Sequence, residues 1–166
     1  MAWNLKDRGP HIPEIDPVLT INIPARIPPD YVLEPGARLR LYRRFAMVET
    51  QEDLVALVEE LQDRYGPLPE ELENFVEIIG LKVLARAMRI KGVVVSGMVN
   101  SLQLCEHSLI DLDRLLALLH REQHRLKLTP DNSLVISSRD ASSLTIFADL
   151  RWLLKEIAER DGENAV

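Results

Sequence analysis

Apolar and polar positions change rhythm along the chain, and each change marks a different kind of element. Up to Pro35 no helical period is present, because seven of the ten prolines stand at 10, 13, 17, 24, 28, 29 and 35. Proline inside a helix removes a hydrogen bond and clashes with the preceding turn. Within this arm, Val18-Leu19-Thr20-Ile21-Asn22-Ile23 is rich in β-branched residues and reads as one short strand ended by Pro24. From Pro35 to Val48 the period becomes helical, with Leu41, Tyr42, Phe45 and Val48 on one stripe, Arg40 and Arg43 turned away and Arg44 at its edge. A second helix starts at Thr50, whose hydroxyl suits the free amides, with Asp53 in the position of a capping-box partner. Its stripe is Leu54, Leu57, Val58, Leu61 and Tyr65; Gly66 suits a left-handed helix end and Pro67 blocks continuation. Pro69, Glu70 and Glu71 then open a third helix, the acids favoured by the positive end of its dipole. This helix is expected to run to about Ile90 and to bury Leu72, Phe75, Val76, Ile79, Val83 and Ala87.

Beyond Ile90 the period shortens. Gly92-Val93-Val94-Val95 and Ser101-Leu102-Gln103-Leu104, separated by Gly97 and Asn100, predict a hairpin. Leu109 to His120 returns to helix, and Arg125-Leu126-Lys127-Leu128 and Ser133-Leu134-Val135-Ile136 flank the turn signal Thr129-Pro130-Asp131-Asn132 to make a second hairpin. Ser142 or Ser143 caps a last helix carrying Leu144, Phe147, Leu150, Leu154 and Ile157. The pattern predicts an α+β fold, a helical first half packed with small antiparallel hairpins and a C-terminal helix in a single compact domain. The expected division is a linker arm at 1–17, the domain at 18–160 and a polar tail at 161–166.

Length and charge narrow the function. A chain of 166 residues has room for one self-sufficient core. The net charge of -6 and pI near 5.3 argue against a protein whose main work is neutralising phosphates, since that favours clustered lysine and arginine. Cys105 is the only cysteine, which excludes an intramolecular disulfide and a multi-cysteine zinc site and fits a reducing compartment, the cytoplasm. No apolar run approaches the roughly 20 residues that span a bilayer, and MAWNLKDRG lacks the apolar core of a signal peptide, so neither membrane nor export is expected.

No catalytic motif is visible. The phosphate-cradling pattern G-x-x-x-x-G-K-[ST] is absent, and none of the four histidines stands in a signature context, so the chain itself is expected to be no enzyme and to carry no catalytic, metal or cofactor-binding residues. His120 and His124, at i and i+4, have the spacing of a helical zinc pair, but the Glu of H-E-x-x-H and an evident third ligand are missing, so a solvated helix end is expected. His107 reads as a surface residue and Cys105 as a small core residue. Arg40, Arg43 and Arg44, with Tyr42 among them, leave two readings open: a grip on phosphates and bases, or the wet face of an amphipathic helix paired with the acids that follow. Glu60 and Asp63 lie off the apolar stripe of the second helix and are expected to face water, with Glu60 in reach of Arg64 one turn on.

Three stretches in order carry a resemblance: Ile27-Pro28-Pro29-Asp30-Tyr31, then Arg38-Leu39-Arg40-Leu41-Tyr42-Arg43-Arg44, then Glu60-Leu61-Gln62-Asp63-Arg64-Tyr65-Gly66-Pro67-Leu68-Pro69 followed by Asn74. Together they resemble the C-terminal domain of the bacterial transcription-repair coupling factor, over about residues 18 to 160. That family is an ATP-driven DNA translocase that displaces stalled RNA polymerase and recruits nucleotide-excision repair. The resemblance implies a non-catalytic, autoinhibitory docking domain that packs on the N-terminal repair-protein-like module, masks its surface for the damage-recognition subunit and restrains the motor. ATP and magnesium would belong to the motor, which this stretch lacks. RNA polymerase and DNA would be indirect partners. Glu60 and Asp63 match the family's acidic docking positions, and Tyr65 matches the aromatic of the turn and is expected in the core. An accessory nucleic-acid-binding domain using Arg40, Arg43 and Arg44 is the alternative.

Overall fold

The computed structural model describes residues 14–160. The expected tail lies outside them, as does the expected arm apart from residues 14–17. The order of elements is β1 (Val18–Ile21), α1 (Pro35–Ala46), α2 (Gln51–Tyr65), α3 (Glu70–Ala87), β2 (Gly92–Val95), β3 (Val99–Gln103), α4 (Leu112–Arg121), β4 (Leu126–Leu128), β5 (Ser133–Ser137) and α5 (Ser143–Ile157). Both expected hairpins form, and they join in one five-stranded sheet of order β1-β2-β3-β5-β4. The strand from the proline-rich arm supplies its edge: β1 lies parallel to β2, with Val18 opposite Gly92, while every other pair is antiparallel. Gly92 is tightly enclosed there, because a Cβ would stand 2.5 Å from Gln103 Oε1 and 3.0 Å from the Val18 carbonyl. The α+β expectation holds, with a mixed sheet.

Two hydrophobic cores flank α3. One lies between the sheet, α3, α4 and α5, and includes Leu81, Ala85, Val93, Leu102, Leu134, Phe147 and Leu150. The other lies among α1, α2, α3 and the segment after β1, and includes Ile27, Val32, Phe45, Leu57, Leu61, Leu72 and Val83. At roughly 100° per residue, Leu72 and Val83 fall on one side of α3, while Leu81, Ala85 and Met88 fall on the opposite side. A helix between two cores must be apolar on both faces. That is why its single expected stripe was incomplete: Leu81 and Ala85 are buried, and Ala87 is exposed.

Capping chemistry sets several boundaries. The Thr50 hydroxyl accepts from Asp53 N at 3.1 Å, and Ser142 accepts from Thr145 N at 3.3 Å, as expected. Pro69 is the residue before α3 rather than its first helical position. That helix ends at Ala87, short of Ile90, and Arg89 turns the chain with φ 56, a left-handed conformation unusual for a side-chain-bearing residue. The Ser108 hydroxyl donates to the Arg89 carbonyl at 2.8 Å and so holds this turn. Leu109 to Asp111 stay outside α4 because the Asp111 carboxylate caps it, accepting from Arg114 N at 3.1 Å. Leu144, expected on the apolar face of α5, is 77% exposed, while Ile146 and Leu153 are buried in its place.

The segment after β1 is stitched to the helices. Asn74 Nδ2 donates to the Pro24 carbonyl at 3.0 Å, and Ile27 N donates to the Tyr42 hydroxyl at 2.8 Å. Phe75 stands edge-on to both Tyr42 and Phe45, with ring centroids 5.4 and 5.1 Å apart, an arrangement that aromatic rings favour. Proline-rich chain thus becomes part of the second core.

Candidate docking surface

The apolar stripe of α2 buries Leu54, Leu57 and Leu61 against α1 and α3, which turns Glu60 and Asp63 outward. Their surroundings differ. Asp63 is exposed and has no partner among the described residues. Glu60 is held by Arg44 of α1 through two hydrogen bonds, 2.8 and 2.5 Å long, with both side chains 48% exposed. The sequence expectation that Glu60 pairs with Arg64 is therefore corrected. Arg44 sits at the edge of the α1 stripe, where it faces α2 across the helix packing, a nearer partner than one a turn away on the same surface. The hydrogen bonds from Arg44 hold the Glu60 carboxyl below its usual range, partly opposed by desolvation, and raise Arg44 in turn.

The helix break beside these acids is braced by aromatics. Gly66 closes α2 with φ 89 and ψ -168, a region essentially reserved for glycine rather than the left-handed helical one expected. The Tyr31 hydroxyl donates to the Gly66 carbonyl at 2.7 Å, with the Leu61 carbonyl 3.2 Å away. Tyr65 is only partly buried: its ring packs on Tyr31 at 5.6 Å, and the Arg64 guanidinium lies 5.5 Å from the ring centre. The expectation of a core residue is met on one face of the ring alone.

A groove of about 500 Å³ opens between the 30–34 turn, α1 and the end of α2. Arg40, Arg44 and Arg64 line it together with Glu34 and Tyr65, and Leu33 in its wall is 80% exposed. This surface offers charges of both signs around an exposed leucine, features common to the rims and anchors of protein interfaces. Leu33 was missed in the sequence, although a large apolar residue in a proline-rich turn was a visible signal. Arg40, Arg43 and Arg44, the arginines of the phosphate-gripping alternative, do not converge as one free cationic patch. Arg44 holds Glu60, Arg40 lies 3.8 Å from Glu34, and Arg43 is exposed without a partner and outside the groove.

The remaining chemical candidates separate. Helix α4 ends at Arg121, so His124 lies in the following turn and shares no continuous helix face with His120; its Nε2 stands 3.6 Å from Glu122. His107 is partly exposed and 3.2 Å from Glu106. Cys105 is partly buried, not a core residue, and its Sγ lies 3.6 Å from the Arg89 carbonyl. No helix among the described residues is long and apolar enough to cross a membrane.

Comparison with known proteins places this architecture. The TRCF domain family matches residues 21–115. A transcription-repair-coupling factor of Myxococcus xanthus is 30% identical over 146 residues, covering 87% of this chain and 12% of that protein. One from Mycobacterium tuberculosis is 36% identical over 75 residues, covering 45% of this chain and 6% of that protein. In fold, the chain is similar to a crystal structure of the C-terminal domain of transcription-repair coupling factor, with a TM-score of 0.69 and 18% identity, covering 86% of this chain and 95% of that one. The chain thus spans a small part of the length of its curated relatives, and by sequence and fold it belongs to the TRCF domain family.

Proposed function

We propose that this chain is the non-catalytic, autoinhibitory docking domain of a transcription-repair coupling factor. In this reading it packs on the N-terminal module of the longer polypeptide, masks the surface for the damage-recognition subunit and restrains the ATP-dependent motor. The observation that carries the reading is the state of the two acids on α2. Asp63 presents an unpaired carboxylate to solvent, and Glu60, one turn away, is hydrogen-bonded by a half-exposed arginine that a competing cation can replace, with the Arg64 charge a weaker influence. An interface that must hold and release is suited to such contacts, because rim ion pairs are individually weak and exchange readily.

The test mixes the domain with its N-terminal module and repeats the titration with Glu60→Lys plus Asp63→Lys. Loss of the complex is expected. A complex of unchanged affinity sinks the acidic docking surface. Restraint of the motor is tested separately, by deleting the domain from the full-length protein and measuring ATP hydrolysis without polymerase, which is expected to rise.

The nucleic-acid reading keeps one supporting observation, the unpaired Arg43. A steep fall of duplex affinity with salt would favour it, because released counterions report phosphate contacts.

A further inference from the structure

A second groove lies away from α2, between the start of α3 and the start of α5, with a volume of about 630 Å³. Its apolar lining comes from Leu68, Val76, Leu144 and Phe147. Phe147 belongs to the core at 1% exposure, whereas Leu144 stands beside it 77% exposed. Along the α3 side run Glu70, Glu73 and Glu77, spaced to share one helix face. Arg151 of α5 holds Glu77 by two hydrogen bonds. Glu70 and Glu73 have no partner among the described residues. Glu71, turned away from that face, is bridged by Arg26.

Acids at a helix start complement its dipole, which accounts for carboxylates in this turn. The dipole does not account for an exposed leucine and an apolar floor beside them. An occupant that relieves both features brings an apolar side chain for Leu144 and cations for Glu70 and Glu73. Nucleic acid and anionic lipid carry the wrong charge, and a second copy brings a net charge of -6 toward an acidic rim. We infer that the α3/α5 groove docks a basic amphipathic helix of a partner protein, its apolar stripe on Leu144 and its lysines or arginines against Glu70 and Glu73. The inference is independent of the docking role of Glu60 and Asp63.

The experiment titrates the isotope-labelled chain with a twelve-residue peptide of leucine and lysine in helical register, and with a scrambled peptide of the same composition. Amide shifts are expected to cluster at residues 68–77 and 143–147 for the amphipathic peptide. Leu144→Ser, a change at an exposed position, is expected to leave the melting temperature unchanged and to weaken binding roughly tenfold, as loss of an apolar anchor does. Glu70→Gln with Glu73→Gln is expected to weaken binding and flatten its salt dependence, while Asp63→Asn leaves it unaltered. Equal binding of the scrambled peptide, shifts spread over the whole acidic surface, or an unchanged affinity for Leu144→Ser would each overturn the proposal. Self-association in sedimentation that Leu144→Ser abolishes would assign the groove to a second copy and overturn it as well.

Discussion

Arg44 on α1 and Glu60 on α2 clasp each other by two N–H···O bonds across 16 residues of sequence. The acid singled out for docking is thus already engaged inside the domain, and a partner cation competes with Arg44 for it. Arg44→Ala is expected to return the Glu60 carboxyl toward its ordinary value of 4.5, seen by NMR titration. Because Arg44 depresses that value, the pair's stabilisation is present above the unfolded pKa and is lost as pH falls through the lowered folded one. Both groups are half exposed, so the urea midpoint should hardly move, while affinity for a basic partner should rise. Unchanged affinity would mean that Glu60 takes no part in docking.

Tyr42 tests how the proline-rich segment is held. Its hydroxyl accepts the Ile27 amide at 2.8 Å, and Ile27 is 2% exposed. Tyr42→Phe leaves that N–H without a partner and is expected to cost about 1–3 kcal/mol in urea unfolding. Ring packing on Phe75 is retained in the variant, so a larger loss would point to a repacked core.

Gly66 separates backbone strain from crowding. A Cβ at this position would meet nothing within 4 Å, yet the residue has φ 89. Gly66→Ala is therefore expected to destabilise the domain by about 1–3 kcal/mol through its backbone alone. Thermal unfolding of the variant measures this, and an unaltered midpoint would show that the turn relaxes without cost.

Asp140 connects pH to the start of α5. Hydrogen bonds from the Ser142 hydroxyl and amide hold its carboxyl down, from an ordinary 3.8 to about 2. The stabilisation is complete above the unfolded value and disappears as pH falls through about 2, so amide exchange at residues 142–146 should accelerate over that window. Asp140→Asn is expected to remove the acid dependence of this local opening. Persistence of the same pH profile in the variant would assign it to another group.

Local rules read from the sequence account for much of this domain. Thr50, Gly66 and Ser142 set helix ends through chemistry within a few residues, and the apolar alternation from Gly92 to Ile136 was enough to pair each hairpin. Glu60 and Asp63 face outward because period alone places them off the stripe of α2. Tertiary structure decided what local rules cannot carry. The parallel pairing of Val18 with Gly92 closes over a long crossover, the two-sided burial of α3 depends on a core at each flank, and Leu144 is exposed because Ile146 and Leu153 fill the core face of α5. The partner of Glu60 was of the same kind: spacing offered Arg64 on the same helix, but packing of α1 against α2 brought Arg44 closer. Periodicity determines which face of an element is wet or dry, whereas which neighbour meets that face depends on contacts distant in the chain.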